Sequence, residues 1–385
     1  MKERFLPKGF FDYCGDEAEC MLKAAECFLK NGRRYGFVPA ALSEVGFRKD
    51  YEDFGTASNE RSYTFCDMGG NDLMLASDSL ASTIRMYRGA FDGCRNIRVM
   101  SVTPVFRCRK KKYRRWHHLI YTMINESDCL NAEISLFEMA NTFLSNYYNN
   151  FRYSIYLYEI FDAMCEYYGN NHKEIYTLLY LKYQKGEKIC GDLAKQIEQI
   201  EQIGISSSNW MIALKKISDC FPWSKNAVDF CMEFLHFLDV KGINYKVEWD
   251  NYHAIEYSSG ICFLVKDDKG RHTLADGGAY NYVVKKYNNI RNCYSFACSL
   301  EAIRELVEIK ENNNLYLVKL DCSYVFFHSA AEAIRKRGIP VFEVVSKGNL
   351  NKALKSVPVH SRCCLVGKEE EEKRELIIEG EMIKI

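Results

Sequence analysis

The sequence predicts an α+β protein with a large first domain, a helical insertion in that domain and a small α/β domain at the end. Three observations support this prediction. Strand-type alternation and helix-type spacing both recur in the first part of the chain. Strand signals disappear between about residues 165 and 240, where one helical pattern follows another. After residue 312 short strands and helices alternate. A chain of 385 residues is also longer than one domain with a single hydrophobic core usually is. We therefore expect two domains, at 1–312 and 313–385.

The elements of the first domain follow from local spacing. Apolar residues recur every three or four positions over residues 17–30, which predicts an amphipathic helix that ends at Gly32. Residues 63–75 predict two short strands around a turn at Gly69 and Gly70. The remaining predicted elements are helices at 80–87 and 132–148, strands at 96–106 and 116–124, insertion helices at 173–183, 188–203, 210–217 and 227–238, strands at 245–249, 260–266 and 272–274, and a helix at 300–310.

The second domain is predicted to follow a polar linker at 310–314. Ser329 and Glu332 have the spacing of a capping box, which predicts that a helix begins at residue 330. Gly338 stops that helix, and Pro340 prevents its continuation. The predicted elements are strands at 315–320, 341–345, 364–366 and 376–378 and helices at 330–337 and 350–355.

Composition excludes several classes of protein. Lys and Arg number 52 against 51 Asp and Glu, so the chain is not a protein that binds nucleic acid through bulk positive charge. A hydrophobic fraction of 48% excludes wholesale disorder, and no apolar run is long enough for a membrane span. The 17 cysteines include no Cys-x-x-Cys pair, so we expect free thiols in a reducing cytoplasm and neither a metal site nor a cofactor.

A strongly basic segment joins the strands predicted at 96–106 and 116–124. Residues 107–115 contain seven cations in nine positions. One interpretation is a solvated hairpin tip. The other is a contact with phosphate, nucleic acid or a partner protein, because arginine binds phosphate oxygens in pairs.

Several segments, taken in order, resemble histidyl-tRNA synthetase and its non-catalytic relative, the regulatory subunit of ATP phosphoribosyltransferase. Residues 6–13 are similar to the opening P-x-G-x-R-D of the family, and residues 75–80 to L-R-P-D/E-x-T. Arg107 and residues 115–118 are similar to the second class II motif. Residues 131–133, 257–260 and 277–281 are similar to D-A-E, Y-Y-T-G and G-G-R-Y-D/N. The resemblance implies a class II synthetase-like antiparallel sheet with flanking helices, followed by a truncated anticodon-binding-like domain.

The departures from that resemblance concern the positive charges that amino-acid activation needs. Arginines of the family fall on Ala76, His253, Ala279 and Ser299 of this chain. Removing one transition-state contact typically costs about 2.7–4 kcal/mol, so several losses make adenylation improbable. The resemblance therefore implies a degenerate, non-catalytic site.

The resemblance also implies a surviving small-molecule pocket of the kind that binds histidine. Asp78 would accept from the α-ammonium group, and Tyr257 and Gly260 would line the ring. His118 and Thr122 replace a glutamine and a glutamate of the family pocket. Alternatively, Asp78 is an acid at a helix start and Tyr257 a core aromatic. The predicted ligand-binding residues are Asp78, Arg107, His118, Thr122, His253, Tyr257, Gly260, Gly277, Gly278 and Tyr280.

Three functions follow from this resemblance. The first is a regulatory subunit that binds the short catalytic subunit of ATP phosphoribosyltransferase, with histidine as effector and a homodimer within a hetero-oligomer. The second is an RNA-binding pseudo-synthetase, and the third a divergent histidyl-tRNA synthetase. If the chain is a regulatory subunit, neither nucleic acid nor a membrane is expected as a partner.

Overall fold

The structure, a computed structural model, describes the greater part of the chain. The described residues are 6–52, 54, 62–108, 112–148, 150–169, 172–206, 208–248, 258–267, 273–306, 315–345, 350–355, 357, 362–378 and 381–385. They divide into two compact units, residues 1–307 and residues 308–385. Every helix among the described residues is too short or too polar to cross a bilayer.

An eight-stranded sheet forms the centre of the first unit, as far as the described residues show. Its order is β1-β5-β6-β11-β10-β9-β7-β8, and all neighbours are antiparallel except the pairs β1–β5 and β7–β8. A smaller sheet has the order β2-β4-β3. The strands are β1 Val38–Pro39, β2 Val45–Phe47, β3 Thr64–Cys66, β4 Asp72–Leu75, β5 Ile97–Phe106, β6 Arg115–Ile124, β7 Phe151–Leu157, β8 Tyr245–Val247, β9 Ser259–Asp267, β10 Thr273–Ala279 and β11 Cys293–Ser299.

Helices flank this sheet, and four of them follow one another between α4 and β8. Two begin at an aspartate cap: the Asp78 and Asp128 carboxylates accept from backbone N–H groups of the first turn. The helices of the first unit are α1 Asp16–Arg34, α2 Ser79–Ala90, α3 Cys129–Leu144, α4 Tyr158–Tyr168, α5 His172–Lys185, α6 Asp192–Ile203, α7 Trp210–Cys220, α8 Lys225–Val240, α9 Asn281–Val284 and α10 Leu300–Leu306.

The two faces of the central sheet support two separate clusters of buried side chains. Alternate residues of a strand point to opposite faces. Leu119 and Tyr121 of β6 belong to the larger cluster, with residues of α1, α3 and α8. Ile120 and Ile124 belong to the smaller cluster, with residues of α2. His118, Thr122 and Asp276, discussed below, share the face of Ile120.

The second unit contains a parallel sheet with order β13-β12-β14 and an antiparallel pair β15–β16. Its elements are β12 Leu315–Lys319, α11 Tyr324–Arg335, β13 Val341–Val345, α12 Leu350–Leu354, β14 Arg362–Val366, α13 Lys368–Lys373, β15 Glu375–Ile378 and β16 Glu381–Lys384. Phe326, Phe327 and Ile334 bury the inner face of α11 in its core.

One predicted helix start is wrong. Ser329 and Glu332 have capping-box spacing but lie inside α11. The cap is Ser323, whose Oγ accepts from the Phe326 N–H at 3.2 Å. Burial of Phe326 and Phe327 extends the helix toward the N-terminus through residues of modest helix propensity. The hairpin around Gly69 and Gly70 is confirmed, since β3 and β4 pair there.

Candidate functional site

The candidate pocket lies on the sheet face that carries Ile120. His118 of β6 is opposite Ser299 of β11, and Ile120 is opposite Ala297, which in turn is opposite Asp276 of β10. Directly paired residues and alternate residues of one strand share a face. His118 and Asp276 therefore point to the same side of the sheet.

Asp78 forms one wall of the pocket from the N-terminus of α2. Its Oδ1 accepts from the N–H groups of Leu80 and Ala81 at 2.8 and 3.1 Å. Its Oδ2 accepts from Nη2 of Arg107 at 3.1 Å. The carboxylate is therefore a helix cap and one half of an ion pair before any ligand binds. The interpretation of Asp78 as a helix-start acid describes its present contacts.

Arg107 is held on three sides at the end of β5. Besides Asp78, its Nε donates to the carbonyl oxygen of Ser77 at 2.7 Å. Its guanidinium carbon lies 5.6 Å from the ring centroid of Trp116, within the range of a cation–π contact. These contacts fix the guanidinium against the wall of the pocket.

His118 and Thr122 lie on the same face but differ in access. Nδ1 of His118 is 2.8 Å from Oγ of Ser79, which joins β6 to α2. Thr122 is completely buried, and its Oγ1 is 3.1 Å from Oγ of Ser295. The structure therefore brings Asp78, Arg107 and His118 together and encloses the Thr122 hydroxyl within the sheet.

Asp276 is a pocket residue that the sequence analysis missed. Its side chain is exposed although Ala275 and Gly277 on either side are buried. Burial by the surrounding protein, followed by the nearby Asp78 charge, raises its pKa to about 6, against the opposing effects of Arg107 and a hydrogen bond with Tyr280. The carboxyl group is therefore surrounded by protein and still reached by solvent. The available sequence signal was the acid directly before the glycine pair.

The glycine pair that follows Asp276 is required for a steric reason. A Cβ on Gly277 would lie 2.6 Å from Cζ of Phe263, and one on Gly278 would lie 2.6 Å from the carbonyl oxygen of Ile261. Gly278 also has φ +145°, where side chains are strained, beside a register shift in β10. Both glycines serve the packing of the sheet.

Gly260 belongs to a separate cluster of acids. Its N–H donates to Oδ2 of Asp162 at 2.8 Å, and the neighbouring N–H of Ile261 donates to Glu133. Burial is the largest cause that raises the pKa of Glu133 well above its ordinary value, followed by the charge of Glu159. Burial, then Asp162 and Glu166, raises the pKa of Glu159 to about 7. Within the described part of the chain no group of acids, histidines or cysteines is arranged to hold a metal ion.

A cavity of about 380 Å³ opens beside this acidic cluster. It is lined by Glu159, Asp162, Ala163, Glu166, Tyr167, Trp223, Asn226 and Ala227. His253 and Tyr257, two of the predicted ligand-binding residues, lie outside the described residues.

The described ends of the basic segment make contacts within the protein. Lys112 and Tyr113 both donate to Glu305 of α10. The Arg114 N–H donates to the carbonyl oxygen of Gly9 at 2.8 Å, and Nη2 of Arg115 lies 3.1 Å from Nε2 of His117. Residues 109–111 lie outside the described residues, so the predicted phosphate or partner contact remains untested there.

The described positions where the resemblance expects arginines have structural roles. Ala76 and Ala279 are buried in the two core clusters. The hydroxyl of Ser299 accepts from the N–H of Ala302 at 3.3 Å, in the first turn of α10. These three side chains supply no positive charge to the cleft.

Comparison with known proteins places these observations in a family context. The family described as Histidyl-tRNA synthetase matches residues 9–303. The histidine–tRNA ligase of Wolbachia pipientis wMel is 24% identical over 302 residues, which are 74% of this chain and 72% of that protein. The histidine–tRNA ligase of Saccharolobus solfataricus is 21% identical over 325 residues, 79% of this chain and 75% of that protein.

Two solved structures have the same fold. One, from Bacillus halodurans, is described as an ATP phosphoribosyltransferase regulatory subunit/histidyl-tRNA synthetase; its TM-score is 0.78 at 14% identity, over 95% of this chain and 100% of that one. The histidyl-tRNA synthetase of Nostoc sp. PCC 7120 has a TM-score of 0.75 at 14% identity, over 100% of this chain and 97% of that one. The predicted class II synthetase-like α+β fold is confirmed.

Proposed function

The chain belongs to the histidyl-tRNA synthetase family, and we propose that it is a non-catalytic member, the regulatory subunit of an ATP phosphoribosyltransferase. In this role it is required, with the short catalytic subunit, for the first step of histidine biosynthesis, and it mediates feedback by histidine. The protein acts in the cytoplasm, as a homodimer within a hetero-oligomer with the catalytic subunit.

The observation that supports this proposal most directly is the charge of the cleft. Amino-acid activation by ATP develops negative charge on phosphate and carboxylate oxygens, which fixed cations must stabilise. Ala76 and Ala279 are buried apolar residues, Ser299 caps a helix, and Arg107 is engaged by Asp78. A cleft in which these positions supply no free cation is poorly suited to adenylate formation.

The regulatory role is supported by the likeness to the Bacillus halodurans protein, whose description includes that activity. Gene neighbourhood supplies a further test, because a regulatory subunit is expected beside a short catalytic transferase and other histidine-pathway genes. An RNA-binding pseudo-synthetase or a divergent synthetase predicts no such neighbours.

Two assays test the proposal. Purified protein is expected to show no histidine-dependent exchange of pyrophosphate into ATP, and to raise the transferase activity of the short catalytic subunit from the same genome when the two are mixed. Exchange above background would instead favour the divergent synthetase. Absence of both activities, with a gel shift by RNA, would favour the RNA-binding alternative.

A further inference from the structure

Two loops of the first unit together form a basic patch. One loop follows α2, and the other lies between α9 and β11. Residues 86–96 and 284–292, all of them described by the structure, contain five cations and a single acid, Asp92. The cations are all exposed to solvent, namely Arg88, Arg95, Lys285, Lys286 and Arg291. Positive charge is therefore concentrated here on a chain whose net charge is only +1.

Buried side chains hold the two loops of the basic patch together. The hydroxyl of Tyr87, which is completely buried, donates to the carbonyl oxygen of Arg95 at 2.8 Å. Nδ2 of Asn125 donates to the carbonyl oxygens of Arg95 and Asn289, one in each loop, at 3.3 and 3.0 Å. The N–H of Arg291 donates to Oδ1 of Asn125 at 2.6 Å. Because Asn125 is only 1% exposed, water does not compete for these bonds, and the loops are positioned before a partner binds.

The aromatic rings of the basic patch are covered by its own cations. Cζ of Arg88 lies 4.4 Å from the ring centroid of Tyr287, and Nζ of Lys286 lies 5.0 Å from the same centroid. Cζ of Arg95 lies 5.2 Å from the ring centroid of Phe91. Proteins that bind single-stranded nucleic acid stack bases on open aromatic faces. This patch presents guanidinium groups instead, and these pair with carboxylates through two parallel hydrogen bonds.

We propose that the basic patch is the docking surface for an acidic face of the short catalytic subunit. The inference rests on the proposed function, which supplies the partner. The covered rings favour a folded protein over nucleic acid as the occupant, and loops held in one arrangement suit a rigid surface that carries carboxylates. Complementary charge of this kind speeds association, and salt weakens it by screening.

Charge reversal in the basic patch tests the inference. The charge of Glu52 already acts on Lys286, so the variant replaces two other cations, Arg88 and Arg95. In Arg88→Glu/Arg95→Glu the Kd for the catalytic subunit, measured by surface plasmon resonance, should rise about tenfold or more. The concentration that gives half-maximal stimulation of the transferase should rise by the same factor, with the maximal stimulation unchanged.

Two further variants serve as controls. Lys215→Glu/Lys216→Glu makes the same change of net charge at exposed residues of α7 and should leave the Kd unchanged. Arg88→Lys/Arg95→Lys keeps the charge of the patch and should bind within about a few-fold of the native protein. All three variants should melt close to the native temperature, because exposed charges contribute little to stability.

Salt dependence is a readout that a loss of shape alone would not change. The Kd of the native complex should rise about tenfold between roughly 50 and 300 mM salt, because the Debye length shortens over this range. The Kd of Arg88→Glu/Arg95→Glu should rise much less, since the paired charges are no longer present.

Three results would overturn the inference: an unchanged Kd in Arg88→Glu/Arg95→Glu, an equal rise in the α7 control, or duplex RNA that binds the native protein and not the patch variant. The last result would assign the basic patch to nucleic acid. The proposed function is judged separately. A complex that depends on the patch but does not stimulate the transferase would retain the docking surface and reject the regulatory role. Stimulation that survives the charge reversal would retain the role and reject the surface, and absence of any complex would reject both.

Discussion

Nδ1 of His117 lies 2.9 Å from Oε1 of Glu301, and the backbone N–H of His117 donates to Oε2 of the same carboxylate at 2.8 Å. His117 belongs to β6, and Glu301 lies in the first turn of α10 with only 1% of its side chain exposed. This carboxylate therefore fastens α10 to the sheet two residues beyond Ser299, where the family resemblance expects an arginine.

Glu301→Ala is expected to lower the free energy of unfolding by about 2–3 kcal/mol, because two hydrogen bonds to a buried charge are lost. Urea denaturation measures the change. Glu305→Ala is the control: its contacts with Lys112 and Tyr113 are both exposed to solvent, so the loss should be about 0–1 kcal/mol. Equal losses in the two variants would show that the His117–Glu301 contact contributes no more to the free energy of unfolding than the exposed contacts of Glu305.

Asp78→Ala should destabilise the protein by about 2 kcal/mol, since it removes both a helix cap and the partner of Arg107. Asp128→Ala removes a cap of the same type from α3 without an ion pair and should cost about 1 kcal/mol. The difference between the two losses in the free energy of unfolding measures how much the ion pair with Arg107 contributes to stability. A difference near zero would mean that the ion pair contributes nothing to the unliganded protein.

Asp276→Asn should raise stability in alkaline solution. The folded-state pKa of Asp276, about 6, lies above its ordinary value of 3.8, so the associated stabilisation is complete below about pH 3.8 and is lost as the pH rises through about 6. Asparagine resembles the protonated acid at every pH. The native protein and the variant should therefore melt at the same temperature at about pH 4, and the variant should melt at the higher temperature at about pH 8. A pH-independent difference would contradict the raised pKa.

Glu159→Gln, in the acidic cluster, should likewise raise the stability of the protein in alkaline solution. Its folded-state pKa of about 7 exceeds the ordinary 4.5, so its contribution to stability is present below about pH 4.5 and is lost as the pH rises through about 7. Thermal melts across this range should show a flatter dependence in the variant. Glu233→Gln, at an exposed position on α8, should reproduce the native curve.

The sequence predicts that Lys110, Lys111 and Lys112 lie outside the core. Replacing all three by serine should therefore leave the melting temperature nearly unchanged, because surface charges contribute about 0–1 kcal/mol each at most. Of these, Lys112 has an exposed partner in Glu305. Unfolding of the triple variant in a thermal melt would show that the segment is structural and exclude the contact function proposed for it.

Sequence patterns predicted the architecture because spacing and turn residues report on local structure. The strand β11 was missed although Tyr294 and Phe296 favour strands; hydrogen bonding to β6 and β10 on both sides continues it through Ser295 and Ala297. The strand β7 and helix α4 follow one another without a glycine or proline between them, which left no signal of a boundary.

The pocket was only partly predictable. Motif resemblance identified Asp78, Arg107 and His118, which the fold brings together. It could not show that Arg107 pairs with Asp78, or that Thr122 bonds with Ser295, because both partners come from distant parts of the chain. Asp276 was missed because a resemblance directs attention to positions that the family uses.

The steric requirement for Gly277 and Gly278 limits which positions of β10 can be changed. Phe263 and the Ile261 carbonyl leave no room for even one methyl group on those residues, so substitution there would disturb the packing of β10 against β9. Changes of ligand preference are available to side chains that share one face of the sheet, such as Asp276 and His118. An engineer seeking a new ligand would therefore randomise those side chains and leave the glycine pair untouched.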